Sequence, residues 1–328
     1  MYFLGIDLGG TKIAAGLVDS SGRLLVKRSI PTKRERPFQE IIKDMAFLAQ
    51  GLVEEAGLSL AAIQSIGVGS PGTPDVKNGV LLYNNNLGFR NVPLRMEIQR
   101  YLPLPVHLDN DANCAALAEG LVGAAKGVSS SVTITLGTGI GSGVIINHQI
   151  YGGFNNAAAE LGHMVIEVNG EACTCGRRGC WEAYASATAL IRQARAAAAD
   201  HPGSLMLALA EGDPAKITAK TAFDAARQGD AVAFGVVEQY FDYLAVGISN
   251  VINIFQPEII VIGGGISQQG EYLLSALQKR VAQEIYTSNI NNLPTTQLKV
   301  AVLGNDAGII GAALLGFTAG QRLGLTLA

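Results

Sequence analysis

Charge is scarce in this 328-residue chain: charged residues make up 16 % and the net charge is −3. With no basic excess to follow a phosphate backbone, nucleic acid is not an expected partner. Long apolar runs are missing as well. No uncharged apolar stretch of about 18 residues reads as a membrane span. The nearest segment, Val251–Ile266, is interrupted by Asn253, Pro257, Glu258 and a triple glycine. No basic region precedes the first apolar run, and Asp7 and Lys12 break it, so Tyr2–Asp7 reads as a strand and not a signal peptide. A soluble cytoplasmic protein is expected, in a compartment that disfavours disulfides. Cysteine is confined: three of the four fall at 173, 175 and 180. The fourth, Cys114, lies in Ala-rich sequence and reads as a small buried hydrophobe. No Gly-Lys-Ser/Thr opens a helix, so a Walker P-loop is absent.

What the chain does have is glycine, 40 residues of it, gathered where strands end. Apolar residues reach 48 %, and the length allows two domains with ample core. Strands and helices alternate, which is the pattern of an α/β protein. Strands are expected at Tyr2–Asp7, Ile13–Asp19, Ile63–Val68, Val106–Leu108, Ser131–Leu136, Gly143–Asn147, Ile259–Ile262 and Lys299–Leu303. Helices are expected at Gln39–Ala56, closed by Gly57, and at Ala112–Leu121, Ala183–Ala199, Ala231–Phe255 and Ala307–Phe317. Thr221 with Asp224 has the spacing of a helix cap. Ile6–Lys12 aligns without gaps to Ile134–Ile140, each a strand and a Gly/Thr turn before a second apolar strand. Two similar α/β units, each offering a glycine turn to a shared cleft, would account for that repeat.

Within 23 positions stand Glu160, His163, Cys173, Cys175, Cys180 and Glu182. His163 with the three cysteines makes a closed tetrahedral zinc set with no position left for chemistry, so the metal reads as a brace. Gly176 and Gly179 let the backbone turn between ligands. A disulfide is the rival reading, but Cys173 and Cys175 are too close for easy bridging and three thiols cannot all pair. Free structural thiols are the plainer alternative.

Two glycine turns present backbone N–H groups to an anion: Gly9-Gly10-Thr11 with Lys12 beside it, and Gly137-Thr138-Gly139 with Gly141. Asp7, at the mouth of the first turn, suits Mg²⁺ held through water. Gly67-Val68-Gly69-Ser70-Pro71-Gly72 matches a dinucleotide fingerprint in letters, but Pro71, Gly72 and Pro74 forbid the helix that fingerprint needs. Gly263–Gly265 is either a floor for a nucleobase or ribose, or only a tight strand-to-helix turn. Asp109-Asn110-Asp111-Ala112-Asn113 follows a buried strand and opens a helix. One such residue caps a helix; the cluster also suits a general base with a raised pKa, with Asn110 fixing a substrate hydroxyl.

These motifs together resemble the ROK family of sugar kinases within the actin-like ATPase (ribonuclease H-like) fold. The residues that carry the resemblance are Asp7–Lys12, Gly69–Gly72, Asn110–Asn113, Leu136–Gly141, Glu160–His163, Cys173–Glu182 and Ile262–Gly265, in family order over nearly the whole chain. The resemblance implies two α/β domains, 1–115 with 305–328 and 116–304, and a cleft between them. It implies ATP-dependent phosphorylation of a hexose, most similar to glucose phosphorylation, with Asp111 as base. Asn110, Glu160, His163, Glu182 and Gly72 are implied at the sugar. Asp7 falls near Mg²⁺, Gly9, Gly10, Thr11, Lys12, Gly137, Thr138 and Gly139 at the phosphates, and Gly264 and Gly265 at the adenosine. A structural Zn²⁺ on His163, Cys173, Cys175 and Cys180 and a homodimer or higher homo-oligomer are also implied. N-acetylmannosamine, N-acetylglucosamine, allose and fructose remain alternative hexoses, and the Tyr83–Phe89 loop with its three asparagines could contribute to the choice or only form a turn. Sugar-responsive repressors form the other branch of the family. They carry a DNA-binding segment in front, for which a first strand at Tyr2 leaves no room. An actin-like assembly protein is a third class, disfavoured by the zinc motif and the polar cluster.

Overall fold

Strand β1 (Tyr2–Leu8), buried on both faces, sets the plan of the first sheet. Leu4, Ile6 and Leu8 join one hydrophobic cluster, while Phe3 joins another on the opposite face. The computed structural model describes residues 1–84 and 86–321. Asn85, and the 322–328 end of the expected first domain, lie outside them. The sheet has the order β3-β2-β1-β4-β8, with β2 Lys12–Asp19, β3 Leu24–Pro31, β4 Ile63–Ser70 and β8 Val106–Asn110. β1 runs antiparallel to β2 and parallel to β4, which is parallel to β8. Helix α1 (Phe38–Glu55) buries Ile41, Ile42, Met45 and Leu52 on one face. Short β5 (Thr73–Asp75), β6 (Val80–Asn84) and β7 (Phe89–Val92) form a separate three-stranded sheet, followed by α2 (Leu94–Gln99).

The other face of the first sheet takes α3 (Asp111–Val122) and α10 (Ala307–Gln321). Here the strands present glycine. A Cβ on Gly5 would sit 1.9 Å from the Ile309 carbonyl oxygen, and one on Gly67 1.7 Å from that of Ala312. A Cβ on Gly311 of α10 would likewise meet the Cys114 carbonyl of α3 at 1.7 Å. Backbone therefore rests on backbone, and no other residue type fits. Glu119 of α3, 1 % exposed, locks this assembly from its far end. Its Oε1 accepts the N–H groups of Val302 and Leu303 at 3.1 and 3.0 Å, and its Oε2 that of Ala124 at 2.8 Å.

The second five-stranded sheet has the order β11-β10-β9-β12-β13: β9 Ser131–Leu136, β10 Ile140–Ile146, β11 Gln149–Ile150, β12 Ile259–Gly263 and β13 Gln297–Val300. Strand for strand this repeats the first sheet, so the weak repeat in sequence has its counterpart in topology. The remaining helices are α4 (Glu182–Ala185), α5 (Ala187–Asp200), α6 (Leu205–Leu209), α7 (Ala219–Arg227), α8 (Ala231–Phe255) and α9 (Glu271–Glu284). By contact the chain divides into one unit of residues 1–133, 143–159 and 301–328 and another of 134–142 and 160–300. Helix α3 runs through the expected boundary at 115 and belongs whole to the first.

Several expected elements end elsewhere, each for a local reason. The helix expected over Ala183–Ala199 breaks at Ser186, whose extended backbone and hydroxyl cap α5 by accepting from Ala189 N at 3.1 Å. Helix α7 is capped by Thr218, with Thr221 as its capping-box partner, and Asp224 lies inside the helix. The last strand stops at Val300 and not Leu303, because the N–H groups of Val302 and Leu303 go to Glu119. Among the described residues, the helix nearest a membrane span in length and apolarity is α8 and not Val251–Ile266. It packs on α5, α7 and α9 with Tyr240, Phe241 and Leu244 fully buried, as a core helix does.

The glycine accounting is testable. Gly67→Ala should cost about 1–3 kcal/mol, since backbone must move to admit the methyl. Gly51→Ala, in α1 with nothing within 4 Å of the new Cβ, should stabilise by about 0.5–1 kcal/mol. Urea unfolding midpoints report both, and equal effects would contradict the close packing.

Candidate active site and metal centre

In the first unit, Asp7 and Asp111 come together at the ends of their elements. Asp7 shares the α10 face of β1 with Gly5, and a Cβ on Gly308 of α10 would lie 3.2 Å from its Oδ2. Asp111 opens α3 immediately after β8. Burial pushes the Asp7 carboxyl up to about 6, helped by the charge of Asp111 and opposed by Lys12. Burial also raises Asp111, opposed by the Ala112 N–H group. Two carboxylates held up by burial, Asp7 also by the charge of Asp111, form a site that a cation relieves. A Mg²⁺ bound by one or two carboxylates and substrate phosphates fits this donor set.

The neighbouring polar residues have structural work. Asn110 is the N-cap: its Oδ1 accepts from Ala112 and Asn113 N–H at 2.8 and 3.4 Å, and its Nδ2 donates to the Gly72 carbonyl at 3.2 Å. Asp109, buried, accepts from Asn113 Nδ2 at 2.8 Å and from Asn110 N–H at 2.8 Å. Asp111 keeps an oxygen in reserve at the end of β8, as Asp109 and Asn113 also do deeper in the fold. Its Oδ1 accepts from Ala112 N–H at 2.9 Å, and its Oδ2 has no hydrogen-bond partner among the described residues. Gly72 has φ 98°, and a Cβ there would collide with the Tyr83 carbonyl at 2.0 Å.

The β1–β2 turn is braced from below. The Gly9 N–H donates to the Lys12 carbonyl, and buried Thr32 donates its hydroxyl to the Gly9 carbonyl at 2.7 Å and its N–H to Thr11. The N–H groups of Gly10 and Thr11 have no protein acceptor among the described residues. They are what this turn offers an anion, with exposed Lys12 beside them.

In the second unit the four expected metal ligands converge. The donor atoms of His163, Cys173, Cys175 and Cys180 all lie within 4.8 Å of one another. His163 Nδ1 is 3.6 Å from Cys173 Sγ, and the sulfurs of Cys175 and Cys180 are 3.7 Å apart. Zn–S bonds of 2.3 Å in a tetrahedron give edges of roughly 3.8 Å. The spacing thus suits four ligands around one ion and is far too long for a disulfide. Burial, and then the neighbouring thiols, push the Cys180 thiol up to about 12. A metal bound by such thiols takes them as thiolates, so binding releases their protons. Cys114 is fully buried and apart, as expected.

The same unit holds the second glycine turn. Glu182 accepts the Ile140 N–H at 2.9 Å, and the turn's own Gly137 N–H donates to Gly139. Around Gly137 and Gly265 nothing lies within 4 Å of an added Cβ, so neither glycine is demanded by protein packing. Those two positions leave the space a bound nucleotide could use. Gly264 is different: its φ of 82° and the Leu136 backbone 2.4 Å from its would-be Cβ make it a structural glycine. Glu160, exposed, caps the short helical turn Leu161–His163, and Leu161 N–H reaches Ser142 Oγ at 3.1 Å.

A profile of the ROK family matches residues 3–318. The chain belongs to the ROK family. It is 41 % identical over 314 residues to a glucokinase of Thermotoga maritima, covering 95 % of this chain and 96 % of that one. A ROK family glucokinase of Streptomyces griseus, solved with glucose and AMPPNP, superposes with a TM-score of 0.81 at 35 % identity over 97 % of this chain and 100 % of its own. A ROK hexokinase of Thermus thermophilus gives 0.83 at 34 %, over 98 % and 100 %. With these neighbours the chain shares the two-domain actin-like ATPase fold.

Thr32 and the double engagement of Glu182 carry no signal in the sequence, and Asn84, expected to contribute to the choice of hexose or to form a turn, has a further role. Asn84, fully buried, ties Ser70, Pro71 and Leu87 together, so within the Tyr83–Phe89 loop it is an anchor. An Asn in a loop signals a turn first, and only a partner 14 residues away shows otherwise.

Because Asp7 titrates about 6 when folded against 3.8 otherwise, its cost to stability is full above pH 6 and fades as pH falls toward 4. Asp7→Asn in chelator should therefore stabilise the fold at pH 8 and do so much less at pH 4.5. A pH-independent difference in urea midpoint would contradict the burial of this carboxylate.

Proposed function

We propose that the chain transfers the γ-phosphoryl group of ATP to the 6-hydroxyl of a hexose, with glucose preferred. The observation that carries the reading is the unpartnered oxygen of Asp111, on a carboxylate whose pKa is raised by burial and which opens α3 beside the N-cap Asn110. The likeness to glucokinases, over nearly the full length of both chains, supports glucose.

Asp111 Oδ2 accepts the proton of the sugar's 6-hydroxyl as that oxygen attacks the γ-phosphorus. A new O–P bond forms, the bond from the γ-phosphorus to the β,γ-bridging oxygen breaks, and ADP leaves with the electron pair. Positioning and electrostatics supply the acceleration, with no covalent enzyme intermediate. Lys12 and the N–H groups of Gly10, Thr11, Thr138 and Gly139 hold the phosphates. Asp7 would hold Mg²⁺, which offsets the phosphoryl charge when bound. Gly72, Asn110, Glu160, His163 and Glu182 hold the sugar hydroxyls, and Gly264 with open Gly265 takes the adenosine end. A zinc ion on His163 Nδ1 and the three cysteine sulfurs would fix the loop, leaving the other His163 nitrogen for a hydroxyl.

Asp111→Asn should lower kcat on the order of 100-fold or more while glucose binding, read by calorimetry, changes little. Near-normal turnover would refute the assigned base. Since burial raises the pKa of Asp111, kcat/KM should fall on the acid side at a pH above that of an ordinary carboxylate, as protonation removes the base. Cys175→Ala should lose bound metal and weaken glucose binding by about tenfold. Unchanged metal content and affinity would show the centre is misassigned.

A further inference from the structure

Glu182 joins two parts of the second unit that the sequence keeps apart. Its Oε2 accepts the Ile140 N–H at 2.9 Å, at the end of the glycine turn. Its Oε1 accepts the Thr174 hydroxyl at 3.0 Å, and Thr174 lies between two metal ligands, Cys173 and Cys175. A Cβ on Gly139 would stand 2.3 Å from Oε2, so the turn admits the carboxylate only because residue 139 is glycine. The Gly137 carbonyl, on the other side of the turn, accepts Ala187 N–H at 2.9 Å.

The base of this arrangement is stiff. Trp181, the only tryptophan of the chain, is fully buried. It donates Nε1–H to the Tyr243 carbonyl at 2.8 Å, and its ring lies 2.0 Å from where a Gly247 Cβ would be. With Cys180 and Trp181 fixed, the rotamer of Glu182 is set by its contacts, and on Oε1 the Thr174 hydroxyl at 3.0 Å is closer than Cys173 Sγ at 3.8 Å. The selected carboxylate takes up Ile140 N–H and leaves the N–H groups of Thr138 and Gly139 without a protein acceptor among the described residues.

Resting on the kinase function proposed above, the geometry points to Thr174 as a positioning residue that, through Glu182, couples the folded metal loop to the triphosphate-binding turn. Metal occupancy and nucleotide affinity are then linked, and the linkage is reciprocal.

The test uses the full-length, metal-loaded protein and a non-hydrolysable ATP analogue, with Trp181 fluorescence or calorimetry as the readout. Thr174→Val keeps the shape and removes the hydroxyl. It should weaken analogue binding about fivefold, the scale of one ordinary hydrogen bond, since Thr174 is exposed and acts on the turn only through Glu182. KM for ATP should rise in step with kcat held within about twofold, zinc content should stay at the wild-type level, and Thr174→Ser should restore affinity. Wild-type analogue affinity in Thr174→Val, or a loss confined to glucose, would overturn the coupling. Absence of hexose-dependent turnover in the wild type would instead overturn the kinase reading, because analogue binding is measured without turnover.

Discussion

Where α10 lies on β1 and β4, main chain touches main chain, and the rest of the first unit follows from that contact. Gly5 and Gly67 remove the side chains that would keep the helix at the usual distance, and Gly311 does the same between α10 and α3. The helix pair therefore sits close against the sheet, with Glu119 tying the chain before α10 to the last turn of α3. Close seating leaves little water around Asp7 and Asp111. Desolvation then raises both carboxyls, and an unfavourable electrostatic pair becomes a site that a cation, a phosphate-bound metal and a proton-donating hydroxyl all suit.

The second unit reaches a comparable end by other means. The second sheet repeats the strand order of the first, and the glycine turn of this unit leaves β9 as the first turn leaves β1. Here a side chain, Glu182, holds the turn in place of a buried threonine. Four converging donor atoms lie on and beside the loop just before that side chain. A ligand set of this kind organises backbone that no hydrophobic core supports, since Cys175, Gly176, Arg177 and Arg178 are all exposed.

Much of this was legible in sequence where one signal acts alone. The strands at 2–8 and 131–136, helix α8 over Ala231–Phe255 and the convergence of His163 with the three cysteines follow from periodicity or ligand spacing. Position 186 was not legible, because Ala-rich sequence on both sides hides a cap that only the extended Ser186 backbone reveals. Strands β5 to β7 were missed for a related reason: each is three to five residues long and set among turn formers. The partners of Glu119 lie 183 and 184 positions away, and no local pattern encodes them. At the candidate site, spacing pointed only to Asp109–Asn113 as a group, the family resemblance singled out Asp111, and the hydrogen bonds of Asn110 show what the spacing could not, that this residue is the helix cap.

In the proposed reaction a buried carboxylate takes a proton from one particular hydroxyl. Release of ADP by the wild-type chain, with ATP and Mg²⁺, over a panel of hexoses that includes 6-deoxyglucose, tests it most directly. Fast release with glucose, slower release with other 6-hydroxyl hexoses and none above background with 6-deoxyglucose is the predicted result. Release that ignores the hexose, or that persists when the 6-hydroxyl is missing, would contradict it.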